Sequence, residues 1–106
     1  MTAMALKYLK FADVRQKIWG RYDVSSKERQ ILRLIAQAFF QGAPLRVSKL
    51  LDMSAVASPA TVHKAMRSLM AKDLLQVKAD KVDGRIKYLT PTKRAIKLLA
   101  DIGKEM

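Results

Sequence analysis

Lys64 and Arg67 stand one helical turn apart, and Ala60 lies one turn before Lys64, so a helix through them presents all three on one side. Thr61, His63 and Ser68 flank that stripe. Short polar, basic and methyl-bearing side chains without an acid among them suit base edges and phosphates in a major groove about 12 Å wide. Further along, Lys78, Arg85 and Lys87 surround an Asp83-Gly84 pair, the composition of a tight hairpin turn. A basic helix followed by a basic hairpin suits a duplex, because one enters a groove while the other grips phosphates. The candidate DNA-contacting residues are therefore Ser58, Ala60, Thr61, His63, Lys64, Arg67, Lys78, Arg85 and Lys87.

Other chemistries find little support. Cysteine is absent, which excludes disulfides, thiol switches and zinc-finger ligation. His63 is the single histidine, so no cluster supports a metal or a histidine base. Paired carboxylates, a nucleophile beside a base and a Gly-rich phosphate loop are all missing. The expectation is a protein that is not an enzyme and needs no cofactor.

The charge agrees with a polyanionic partner. Across 106 residues the formal net charge is +12, from 21 Lys plus Arg against 9 Asp plus Glu. Both halves of the chain are basic, so the charge belongs to a folded body and not to a detachable arm. Half of the residues are hydrophobic, enough for one modest core and too many for a disordered basic tail. No apolar run approaches the ~20 residues that span a bilayer. Lys7 interrupts the apolar start where a signal peptide would need its core. These features predict a cytoplasmic protein with no membrane partner.

The elements that must position the basic residues follow from periodicity and caps. Met4, Tyr8, Phe11, Ile18 and Tyr22, widened by Leu9, Ala12 and Trp19, mark an amphipathic first helix ending near Gly20. Ser25 and Glu28 form a capping box for a helix that turns Ile31, Leu32, Ile35, Ala36 and Phe39 inward and stops at Gly42. Leu45 to Val47 suit a short strand. Ser48 then caps a brief helix with Leu50, Leu51 and Met53, and Ser54 to Ala57 form a turn.

Ser58-Pro59 opens the basic helix, since serine caps and proline at the first position loses no useful N–H. Val62, Ala65, Met66 and Leu69 face the core, and Asp73 closes the helix. A two-residue Asp83-Gly84 turn would set Val82 against Arg85, Asp80 against Lys87 and Ala79 against Tyr88. Val77, Ala79, Ile86 and Tyr88 would then face the core, with Lys78, Arg85 and Lys87 outward. Thr90-Pro91 would cap a last helix with the stripe Ala95, Ile96, Leu99 and Ile102.

That order of helix, short strand, helix-turn-helix, hairpin and helix carries a resemblance. With Val47-Ser48-Lys49-Leu50, Thr61-Val62-His63-Lys64, Leu69 through Leu75, Asp83-Gly84-Arg85 and Leu89-Thr90 in sequence, the segment from Leu45 to Ala95 resembles the MarR-type winged-helix transcription regulators. The chain departs from that pattern at Lys93, where a glycine is frequent, and its wing is short. The resemblance implies a dimeric regulator that lays the helix from Ser58 in the major groove. It implies Thr61 and Lys64 as DNA contacts and Arg85 at the minor groove or its phosphates. It leaves any small-molecule effector unassigned.

The expected fold is mainly α with a small β-hairpin wing (α+β), a single winged-helix domain over 1–106. Residues 1–22 would be a dimerisation helix, 45–90 the helix-turn-helix and wing, and 91–106 a C-terminal helix. The expected function is a sequence-specific, double-stranded DNA-binding transcription regulator, a repressor, acting as a homodimer. A plasmid, phage or mobile-element factor for replication, partition or excision is the nearest alternative. A protein-interaction module would instead work through the apolar first helix. RNA binding is disfavoured because exposed aromatics for base stacking are scarce on the hairpin.

Overall fold

The structure is a computed structural model that describes residues 2–53 and 57–104. Its elements are α1 (Ala3–Arg21), α2 (Ser26–Phe40), β1 (Leu45–Arg46), α3 (Val47–Leu51), α4 (Pro59–Ala71), β2 (Leu75–Ala79), β3 (Lys87–Pro91) and α5 (Lys93–Gly103). Among the described residues, no helix is long and apolar enough to cross a membrane. The turn expected at Ser54 to Ala57 falls mostly outside the described residues.

A helix leaves its first N–H groups without internal partners, and short hydroxyl side chains satisfy them here. Thr2 accepts from Ala5, Ser58 from Thr61 and Thr92 from Ala95. Ser25 accepts from Glu28, whose carboxylate accepts in return from the Ser25 N–H, completing the capping box. Three turns then need a left-handed residue: Asp23 at φ 54°, Gly42 at φ 79° and Asp73 at φ 58°. Aspartate tolerates that conformation better than most side chains, which is how Asp73 can close α4.

The strands form one antiparallel sheet in the order β1-β3-β2. Leu89 at its centre pairs with Leu45 on one side and Val77 on the other. Leu89, Leu74 and Leu75 meet Ile31, Leu32 and Ile35 of α2, Leu50 of α3, Val62 and Leu69 of α4 and Leu98 of α5 in a single core. Helix α1 joins through Ile18 and Trp19 and packs chiefly on α5. Its first turns project, leaving Met4 74%, Tyr8 61% and Leu9 50% exposed in a molecule 54 Å long.

Four expectations need correction. Arg46 precedes α3 as its cap with no side-chain bond, so Ser48 lies inside that helix and does not cap it. Thr92, not Thr90, caps α5, because Thr90 and Pro91 still belong to β3, where Pro91 pairs with Leu75. The buried line of α5 is Ala95 and Leu98, leaving Ile96, Leu99 and Ile102 half-buried at its edges.

The fourth correction concerns the wing, whose pairing is shifted by one residue. Ala79 opposes Lys87 and Lys78 opposes Tyr88. The loop closes with the Asp80 N–H donating to the Ile86 carbonyl at 2.8 Å. The Asp80 carboxylate accepts from the Val82 and Asp83 N–H groups, both at 3.0 Å, and this Asx-type loop over 81–85 displaces the two-residue turn. A one-residue slip moves every β3 side chain to the other face of the sheet. Leu89 therefore fills the core in place of Tyr88, and Lys87 stands on a different face from Lys78.

Candidate nucleic-acid interface

Helix α4 buries Val62, Ala65, Met66 and Leu69, which fixes what its other side must present. Ala60, Thr61, His63, Lys64 and Arg67 are all exposed, and the structure brings them together as one stripe free of acids. Ser58 is exposed, but its hydroxyl is engaged locally, accepting from the Thr61 N–H and donating to the Thr61 hydroxyl at 3.0 Å. Ser68 leaves the outward group: its hydroxyl donates 2.9 Å to Glu28 of α2.

Glu28 is the centre of the joint that holds α4. Its carboxylate accepts from Ser68, from the Ser25 N–H and from the Lys72 ammonium at 2.9 and 3.2 Å. Lys72 also donates to the Asp23 carbonyl, in the turn between α1 and α2. Burial pushes the Glu28 carboxyl up, yet the bonds from Lys72, Ser25 and Ser68 outweigh it and hold it below its ordinary value. The joint clamps the far end of α4 while leaving the Thr61–Lys64 end open. A cleft of about 170 Å³ runs from Thr61 and Lys64 to the joint itself, where Glu28 and Ser68 line it with Ser25 and Lys27.

The wing distributes its cations differently from the pattern expected. Lys78 is exposed beside Arg46 and Tyr88 on one face of the sheet, whereas Lys87 stands on the face of Val77 and Leu89, beyond the end of the core. Arg85 lies in the loop, 92% exposed at its side chain, and is held by Asp83 through Nε–Oδ1 at 3.1 Å and Nη2–Oδ2 at 3.2 Å. That guanidinium and the Arg85 N–H hold the Asp83 carboxyl below its usual range. The Asp83 and Val82 N–H groups do the same for Asp80.

Sequence reasoning missed Arg46, Ser48 and Lys49, which are exposed where β1 passes into α3. Arg46 and Ser48 line a cleft of about 350 Å³ with Arg85 and Lys87 of the wing. The only signal was two basic residues bracketing a short strand-to-helix junction. A separate cavity of about 300 Å³ lies between α1, α2 and α5, lined by Arg15, Arg29 and Arg33 with Phe11, Trp19, Leu99 and Ile102. Arg29 lies over the Trp19 ring at 5.3 Å and Arg15 over Phe11 at 5.8 Å. Among the described residues, no group of His, Asp or Glu could hold a metal ion.

The fold recurs in solved structures of transcription regulators. A complex of Staphylococcus aureus MepR with DNA matches 96% of this chain and 77% of its own, at 20% identity and a TM-score of 0.66. The transcriptional regulator Tm0710 from Thermotoga maritima matches over 96% and 68% of the two chains, at 17% identity and a TM-score of 0.70. MarR itself matches over 96% and 71%, at 14% identity and a TM-score of 0.65. No protein-family model matches the sequence, and no curated protein is significantly similar to it. The fold is therefore the winged helix of MarR-type regulators, as the sequence resemblance implied.

Proposed function

We propose that this protein is a MarR-type, double-stranded DNA-binding transcription regulator, a repressor acting as a homodimer. Helix α4 would enter the major groove and the wing would meet the minor groove or its phosphates. One observation carries this: α4 exposes Thr61, His63, Lys64 and Arg67 together, with no acid on the stripe, in a fold where MepR is known bound to DNA. Thr61, Lys64 and Arg67 would read base edges, and Lys78, Arg85 and Lys87 would position the duplex. The exposed Met4, Tyr8 and Leu9 on α1 support a second copy as partner, because a soluble chain seldom leaves such a stripe bare. Two α4 helices related by that dimer's axis would meet half-sites about one helical turn apart.

The cavity between α1, α2 and α5 supports regulation by a small anion with an apolar body. Arg15, Arg29 and Arg33 would take its charge, and Phe11 and Trp19 its hydrophobic part.

The deciding experiment is fluorescence anisotropy on duplex pools from ~50 to ~200 mM salt, followed by selection of bound sequences from a random pool. Affinity should fall linearly on a log–log plot, at about −0.9 per phosphate contacted. Absent binding at low salt, or binding indifferent to salt, refutes the proposal.

A further inference from the structure

Arg46 is the last residue of β1 and pairs with Tyr88 of β3. The chain turns into α3 at the next residue, so the ladder stops there and Lys87, the next residue of β3, is left without a strand partner on that side. A cleft of about 350 Å³ opens at this point. Val47, Leu51 and Ile86 give it apolar walls, Arg46 and Lys87 flank its open edge from opposite faces of the sheet, and Ser48 and Arg85 complete its lining. Among the described residues, no carboxylate lines it. Among the described residues, the side chains of Arg46 and Lys87 have no hydrogen-bond or ion-pair partner, whereas Arg85 is engaged by Asp83.

We propose that this cleft seats one backbone phosphodiester of duplex DNA, held by Arg46 and Lys87 with the Ser48 hydroxyl as a neutral donor. The proposal rests on the DNA-binding function above and adds to it a contact outside α4. Like charges facing one cleft repel, and apolar walls strengthen that repulsion by lowering the local dielectric. An anion between them reverses the sign of both interactions, and a phosphodiester presents oxygens to arginine, lysine and serine at once.

A polymer fits better than a free ion. Arg46 and Ser48 also line a neighbouring cleft of about 400 Å³ that contains Lys49, with Asp52 the only acid among the described residues there. The basic surface therefore continues along β1 and α3 past a single seat, as successive phosphates require.

The test uses the full chain in three forms: wild type, an Arg46→Gln/Lys87→Gln double variant, and a Lys93→Gln/Lys97→Gln control that removes equal charge from exposed positions of α5. Circular dichroism first establishes that each is folded. The cleft variant should bind both specific and random duplexes more weakly than the control, by roughly ten- to a hundredfold for one charged contact of two side chains. Its salt slope should be shallower by about 0.9. Duplexes carrying a neutral methylphosphonate at successive positions then locate the seat. One position per half-site should weaken the wild type and the control but leave the cleft variant unchanged.

A cleft variant that matches the control in affinity and slope overturns the seat while leaving DNA binding intact. A wild type that binds no duplex overturns both. Saturable binding of inorganic phosphate at Arg46 and Lys87 without duplex affinity assigns the cleft to a free anion and also overturns the proposal.

Discussion

Removing the Glu28 carboxylate should uncouple α4 from the rest of the domain, and the structure sets the size of the effect. Glu28→Ala deletes the two contacts to Lys72, the bond from Ser68 and the back-bond to the Ser25 N–H. The side chains of Glu28 and Lys72 are 10% and 25% exposed, between a surface pair and a fully buried one. Surface pairs contribute about 0–1 kcal/mol, and breaking a buried pair costs about 3–5 kcal/mol. The expected loss is therefore about 2–4 kcal/mol, with Glu28→Gln losing about half of that because its amide oxygen still accepts. In a domain of this size each kcal/mol lowers Tm by about 4–8 °C.

The pH dependence follows from the direction of the shift. Glu28 has a folded pKa below its ordinary value of 4.5, so its contribution is complete above that value. It fades as pH falls through 4.5 toward the folded value. The stability difference between wild type and Glu28→Gln, measured by urea denaturation, should be constant at neutral pH and shrink in acid. The Asp80 and Asp83 contributions cancel in that difference, since both proteins carry them. A Glu28→Ala loss below about 0.5 kcal/mol, typical of a featureless surface site, would refute the account. So would a wild-type advantage that grows on acidification.

The other predictions concern recognition and assembly. Lys64→Ala and Arg67→Ala should weaken specific DNA binding, with a loss of roughly 1–3 kcal/mol and relaxed preference at one base pair for whichever makes a bidentate base contact. Selection from random duplexes by each folded variant checks this, and wild-type specificity in both would remove α4 from the groove. Asp83→Asn should release Arg85 and remove a negative charge from the wing, tightening duplex binding about two- to fivefold at low salt. Weaker binding in the anisotropy assay would instead make Asp83 the residue that aims Arg85. Deleting residues 1–20 should convert a dimer into a monomer by light scattering, and a monomeric intact chain at tens of micromolar would defeat the dimer. Aromatic carboxylates should raise the wild-type Tm through the cavity between α1, α2 and α5, and Arg33→Gln should reduce that rise. No shift across a concentration series would leave the cavity without an anion site.

Much of the fold was legible because local chemistry and periodicity pointed the same way. The Ser25–Glu28 box, the Ser58-Pro59 start and the inward quartet of α4 all use bonds or spacings within a few residues. The wing was not legible at that range. Asp83-Gly84 is a strong hairpin signal, but the Asp80 carboxylate captures the Val82 and Asp83 N–H groups and moves the register by one. Lys87 then leaves the face of Lys78, and the pair expected to act together is divided. Arg46 escaped notice for a related reason. Its neighbourhood with Lys87 depends on β1 pairing with β3, two elements separated by α3, α4 and β2.

The same long-range contacts bear on how α4 is held toward a target. Lys72, at the end of α4, binds both Glu28 at the start of α2 and the Asp23 carbonyl in the turn leaving α1. Asp23 sits at φ 54°, a left-handed conformation that aspartate tolerates better than most side chains. Lys72 thus ties the end of α4 to the turn between α1 and α2, and a rotation of α1 against α2 would act on those contacts. If α1 is the dimer arm, this ammonium group is one tie, beside the apolar core, between that arm and α4. A Lys72→Met variant would keep most of the side chain's bulk while removing the tie to both partners. It should still dimerise and still bind duplex DNA, but accept half-site spacings that the wild type rejects. Selection from a pool in which only the spacing varies would reveal this, and a spacing preference as narrow as that of the wild type would show that α4 is oriented by the apolar core alone.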